Sequence, residues 1–225
     1  MMQKDAVIFD MDGVLIDSEP YWRQAQVDVL ASYGMTATFD DCIRLTMGRR
    51  LDDIAKIWCQ HFGLQIASEE LQLSIMQAVV ALIRQHGEPK LGVVSLLQTL
   101  QGAGVKIALA TSSSMPIIDA VLNSLNISQY FSVVCSADNE EYGKPHPAVY
   151  LTAAQKLDVA ANQCVVIEDS VTGMIAGLAA GMTTFAVPES IDDPRFAVAN
   201  GRFSSLEELE QHLTTTGERM GSMAR

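Results

Sequence analysis

Beyond Gly92 the chain alternates short, β-branched apolar runs with stretches of helical length, and this alternation is the strongest constraint on its fold. Residues 105–110, 131–135, 164–167 and 183–187 read as strands. Residues 94–101, 116–125, 147–157, 172–180 and 206–212 read as helices. Strands spaced by such helices build βαβ units and a parallel sheet. One earlier strand, residues 6–9, belongs to the same pattern. Between them the alternation fails: residues 19–33, 51–62 and 68–86 are three helical segments in succession, with Ser68 a candidate N-cap and Gly34, Gly63 and Gly87 as stops. The expected fold is therefore an α/β, Rossmann-like parallel-sheet core with a helical cap inserted after the first strand. The core takes residues 1–17 and 89–213, the cap takes 18–88, and the polar tail 214–225 is expected to fray.

With 225 residues, 48% of them hydrophobic, the chain can bury one good core and a smaller companion. A formal net charge of -12 repels a polyanion, so nucleic acid is not an expected partner. A small phosphorylated metabolite is compatible with that charge, because a metal ion reverses the field inside one cleft. Cys42, Cys59, Cys135 and Cys164 lie far apart without a CxxC pair, as in a reduced, cytosolic protein. The start MMQKD leads to Asp10 and Asp12 without a signal-type apolar segment, and no run approaches the ~20 residues of a membrane span. A cytoplasmic monomer without a membrane partner is expected.

Ligands of open parallel sheets bind beyond the carboxyl ends of the strands. Four groups fall there: Asp10/Asp12, Thr111/Ser112, Lys144, and Glu168/Asp169. Residues i and i+2 of an extended segment face the same way, so Asp10 and Asp12 are placed to flank one centre. Gly13 permits a sharp turn or a close approach. Crowded carboxylates repel, and a divalent cation offsets that cost; oxygen ligands suit Mg2+, above all when phosphate oxygens join them. Thr111, Ser112 and Lys144 supply donors and positive charge for a phosphoryl group opposite the metal. An aspartate serves as nucleophile in such chemistry, and a second carboxyl moves the proton. Each group also has a plainer reading. Asp12-Gly13 reads equally as a turn, Thr111–Ser114 as a helix cap, Lys144 as a solvated loop lysine, and Glu168-Asp169 as an acidic helix start. Four plain readings coinciding at four strand ends is the less economical account. Arg49 and Arg50 in TMGRRLDD read as solvated surface or as a substrate contact from the cap, and Trp22 as packing or as a neighbour of the first loop.

These motifs, DMDGV at 10–14, Thr111-Ser112, Lys144 in GKPHP and Glu168-Asp169 in IEDSVTG, resemble the haloacid dehalogenase-like superfamily. The matching branch has a helical cap after the first strand and includes β-phosphoglucomutase and 2-deoxyglucose-6-phosphate phosphatase. The resemblance implies a Mg2+-dependent sugar phosphatase with Asp10 as nucleophile and Asp12 as acid/base. It implies that the metal is held by Asp10, the Asp12 carbonyl, Glu168 and Asp169, and the phosphoryl group by Thr111, Ser112 and Lys144. Gly48-Arg49 resembles a cap loop that reaches the substrate, and Asp17, Ser18 and Glu19 resemble the hinge. Trp22 stands where the mutase branch carries a histidine, which favours the phosphatase over the mutase. The mutase and a non-catalytic phosphometabolite-binding protein are the two alternatives.

Overall fold

The computed structural model describes residues 4–47 and 49–215. Its first strand, β1 (Ala6–Phe9), is followed by α1 (Glu19–Ser32), α2 (Phe39–Leu45), α3 (Leu51–Phe62) and α4 (Ser68–His86) before a second strand forms. The chain then alternates through α5 (Val93–Gly102), β2 (Lys106–Thr111), α6 (Met115–Ser124), β3 (Val133–Ser136), α7 (Ala148–Leu157), β4 (Cys164–Glu168), α8 (Val171–Ala179), β5 (Thr183–Ala186), β6 (Gly201–Arg202) and α9 (Leu206–Thr215). Among the described residues the strands make one parallel sheet of order β3-β2-β1-β4-β5-β6. The α/β core with its helical insertion is thus as the alternation predicts.

The two faces of the sheet explain why the β1 residues and the first four of β4 are all apolar. Both strands are central and covered on both sides, so neither face readily accepts a polar residue. Val7, Phe9, Leu109 and Ile167 enter one apolar cluster with α5, α6 and α9, which continues into the helical insertion. Ile8, Ala108, Ala110 and Val166 enter the other with α7 and Ala176 of α8. Within the insertion, α4 places Leu71, Ile75, Val79 and Ile83 on one buried stripe and packs against α1, α3 and α6. Among the described residues no helix is long and apolar enough to cross a membrane.

Several details differ from the sequence reading. The N-cap of α4 is Ala67, and Ser68 is its first helical residue. Helix α2 has no counterpart in the reading, since seven residues carry too little periodicity. It is set by a capping box: Asp41 N donates to Thr38 Oγ1 at 3.1 Å and Thr38 N donates to Asp41 Oδ2 at 3.0 Å. Strand β6 is only two residues long and is likewise absent from the reading. Helix α9 runs through Thr215, so residues 214 and 215 are helical; 216–225 and Gly48 lie outside the described residues.

A buried polar junction ties the insertion together. Gln26 Oε1 accepts from Thr46 Oγ1 and from Trp58 Nε1, each at 2.8 Å, while Gln26 Nε2 donates to the Trp22 carbonyl at 3.0 Å. This joins α1, the end of α2 and α3. Gln26→Leu would strand the indole N–H without an acceptor in an apolar setting. We expect a loss of about 2 kcal/mol in urea denaturation. A change below about 0.5 kcal/mol would show that the junction contributes little.

Candidate functional site

The strand order reverses between β1 and β4, where one half of the sheet builds outward through β2 and the other through β5. That point is the binding crevice of a doubly wound sheet. Asp10 leaves β1 there, with its N–H donating to Ile167 O of β4 at 3.0 Å, and Glu168 ends β4 beside it. Both carboxylates are buried: Asp10 is 7% exposed and Glu168 fully enclosed.

Lys144 lies between them. Its Nζ donates to Asp10 Oδ1 at 2.6 Å, Glu168 Oε1 at 2.7 Å and Ala110 O at 3.1 Å, which uses its three donors. A solvated loop lysine, the plainer sequence reading, is therefore not what the fold makes of it. Burial alone would lower the ammonium pKa, but the two carboxylates outweigh it and hold the pKa above the usual lysine value. Glu168 accepts more. Oε1 also receives Tyr150 OH at 2.7 Å, and Oε2 receives Asp169 N, Ser170 N and Ser170 Oγ at 3.0, 3.0 and 2.9 Å. Burial pushes its pKa up, yet Lys144 and these donors bring it below the normal range. The carboxylate fits because α8 begins with glycine in its first turn: a Cβ on Gly173 would overlap Glu168.

Asp12 occupies the turn that follows β1. The amides of Val14, Leu15 and Ile16 all donate to Met11 O, and Gly13 N donates to Ile16 O at 2.8 Å. Gly13 sits at φ +78°, and a Cβ there would overlap the Asp169 carboxylate. Turn and site are thus the same feature. Asp12 Oδ1 accepts from Ser18 Oγ at the start of the insertion, and Asp12 Oδ2 accepts from Ser113 Oγ at 2.6 Å. Thr111, 1% exposed, ends β2, and its Oγ1 accepts from Ser113 N at 3.1 Å. Ser112 is exposed in the same loop.

Asp10, Glu168 and Asp169 each present a carboxylate oxygen within 4.8 Å of the others. Burial, then the negative charge of Glu168, raises the Asp169 pKa to about 7. Burial likewise raises that of Asp10, against the pull of Lys144. Two carboxyls held at such a cost, among oxygen donors only, fit a hard divalent cation such as Mg2+.

The residues of the insertion are not gathered into this cluster. Glu19 is exposed at the start of α1, and Trp22 packs half-buried against the apolar core. Arg49 folds back, its Nε donating to Leu45 O at 3.2 Å. Arg50 is the arginine that crosses to the core, with its guanidinium 3.6 Å from Asp138 beyond β3. It lines an open cavity of about 610 Å³ with Glu141, Tyr142 and His146. The sequence reading gave Ser18 and Ser113 no definite role and overlooked Tyr150 and Ser170. Ser170 carries one readable signal: it is the N-cap of α8, accepting from Gly173 N at 3.0 Å.

A buried lysine among carboxylates at the switch point of a doubly wound sheet is an arrangement suited to phosphoryl transfer. The family model of the haloacid dehalogenase-like hydrolases matches residues 4–181, and the chain belongs to that family. It is 37% identical over 207 residues to hexitol phosphatase B of Escherichia coli K12, covering 91% of this chain and 93% of that protein. It is 34% identical over 176 residues to fructose-1-phosphate phosphatase YqaB of the same strain, covering 78% and 92%. The crystal structure of a HAD family hydrolase from Deinococcus radiodurans R1, with bound phosphate and sodium, superposes with a TM-score of 0.74 at 28% identity, covering 97% of this chain and 99% of that one.

The raised Asp169 pKa fixes a sign for pH dependence. Without metal, the folded protein retains a proton that the unfolded chain, with an aspartate near 3.8, has released. Stability of the metal-free protein should therefore fall as pH rises from about 4 to about 7. Melting curves across that range check it; added Mg2+ should flatten the dependence, and Asp169→Asn should reduce it, leaving the part that Asp10 contributes with the same sign. Gly173→Ala should displace Glu168 and cost more than about 2 kcal/mol by denaturant unfolding.

Proposed function

We propose that this protein hydrolyses phosphate monoesters of small sugars or sugar alcohols through an aspartyl-phosphate on Asp10. The observation that carries the reading is Lys144 Nζ at 2.6 Å from Asp10 Oδ1, with Glu168 fixing its other side. A nucleophilic carboxylate with a charge-stabilising lysine already aimed at it is what phosphoryl transfer requires. The names of the two Escherichia coli relatives, one a hexitol phosphatase and the other a fructose-1-phosphate phosphatase, support the substrate class.

In the first step an Asp10 oxygen attacks phosphorus, the ester P–O bond breaks, and Asp12 gives its proton to the departing sugar oxygen. In the second, the Asp12 carboxylate takes a proton from a water molecule as the water oxygen attacks phosphorus. The bond to Asp10 then breaks, releasing phosphate and restoring both carboxyl groups. Ser18 and Ser113 orient Asp12 for both transfers. Lys144 balances charge on the transferred oxygens, and the Thr111 hydroxyl and the Ser112 loop bind the same group. Asp10, Asp169 and the Asp12 carbonyl, with Glu168 beside them, would hold Mg2+, which when bound draws charge from the phosphoryl oxygens. The helical insertion shields the leaving-group side from water. Arg50, facing the core, is the better placed of the two arginines to meet the sugar end.

The test is phosphate release from a panel of hexitol, hexose, pentose and nucleotide phosphates, with Mg2+ present or chelated. Metal-dependent release from sugar or sugar-alcohol phosphates, reduced at least ~10³-fold in Asp10→Asn, is expected. Interconversion of sugar phosphates without release would instead identify a mutase, and binding without turnover a non-catalytic role. Arg50→Ala should raise KM for the preferred sugar phosphate roughly tenfold while sparing a small aryl phosphate, and Arg49→Ala should change neither. Equal effects of Arg50→Ala on both substrates would remove it from sugar recognition.

A further inference from the structure

Tyr150 has no role in the chemistry above, yet its position is unusual. It lies in the first turn of α7, is completely buried, and packs within the apolar cluster beneath β1 and β2. A phenylalanine would fill the same apolar space. The hydroxyl is costly there without a partner. Its partner is Glu168 Oε1, at 2.7 Å, the oxygen that also accepts from Lys144 at 2.7 Å. The face of the same ring lies under the lysine, with Nζ 4.7 Å from its centroid. One side chain therefore touches the ammonium through its ring and the carboxylate through its hydroxyl.

We propose that Tyr150 is a positioning residue for phosphoryl transfer, acting through Glu168 and Lys144. This rests on the phosphatase reading. Two of the three acceptors of Lys144, the Ala110 carbonyl and Glu168, take no part in bond changes; the third is Asp10. As Asp10 becomes esterified, the lysine must carry its third N–H to the phosphoryl oxygens while its other two bonds hold. The phenol contributes in two ways. It shares the charge on Glu168 Oε1, which weakens the grip of that oxygen on the ammonium and leaves more positive charge for the reacting side. Its ring lies under Nζ and opposes movement of the ammonium to that side. Oε2 needs no help from the tyrosine, because two backbone amides and Ser170 already fix it.

The test is Tyr150→Phe, which keeps the ring and removes the oxygen. With a small aryl phosphate, kcat should fall roughly tenfold, the scale of one hydrogen bond to a charged group, while KM stays within about twofold. Beryllium trifluoride with Mg2+, a mimic of the phosphorylated aspartate, should bind roughly tenfold more weakly by fluorine NMR, a readout that needs no turnover. Ser170→Ala removes a donor from the far oxygen of the same carboxylate, and should lower kcat less than Tyr150→Phe at a comparable change in melting temperature. A lowered melting temperature with unchanged kcat and unchanged beryllium trifluoride affinity would overturn the proposal, as would a KM effect alone or an equal kcat loss in Ser170→Ala. If the wild-type protein releases phosphate from no ester, the phosphatase reading fails by itself, and the beryllium trifluoride affinities still decide the role of Tyr150.

Discussion

The ammonium of Lys144 between Asp10 and Glu168 is the interaction on which the rest of the site depends. Three charges in a nearly dry crevice are expensive to desolvate, and mutual attraction offsets that cost only where the remaining donors and acceptors are satisfied. Here they are. Lys144 has three acceptors, and Glu168 has five donors, drawn from Lys144, α7 and the segment joining β4 to α8. Removing one partner would leave an uncompensated buried charge, so the triad behaves as a unit. Its net charge is negative, and Asp169 adds another carboxyl close by. The site is organised in its own bonds and still electrostatically short of positive charge, which suits a cation and a phosphoryl group arriving together.

The fold delivers these groups through the sheet. Parallel strands send all their carboxyl ends to one rim, and the reversal of strand order beside β1 opens a crevice at the point where Asp10 and Glu168 emerge. Two glycines make the crowding possible. Gly13 lets the turn after β1 pass against Asp169, and Gly173 lets α8 start against Glu168. Stability is given up locally to bring like charges together, and the continuous apolar cluster of sheet and insertion offsets the loss.

Much of this architecture is legible in the order of the amino acids. Strands buried on both faces leave apolar runs that cannot be mistaken for a solvated loop, so β1, β4 and the parallel sheet follow from the residue pattern. The positions of Asp10, Thr111, Lys144 and Glu168 at the rim follow from their places after those runs. What was not legible depends on side-chain direction. Two adjacent arginines look alike in sequence, but Arg49 turns back toward α2 while Arg50 faces the core. Tyr150 looks like one more apolar residue of an amphipathic helix, because its stem packs in the core and only its oxygen reaches Glu168. Helix α2 is carried by a four-residue capping box, a signal too short for periodicity to register.

The most direct measurement is chemical trapping of the intermediate. Protein turning over its best sugar or hexitol phosphate with Mg2+ would be quenched, reduced with borohydride and mapped by peptide mass spectrometry. An acyl-phosphate on Asp10 is reduced to an alcohol, so the account predicts homoserine at position 10 and an unmodified aspartate at position 12. Modification at another residue, or steady turnover with position 10 unmodified while a known aspartyl-phosphate enzyme is trapped under the same conditions, would contradict it.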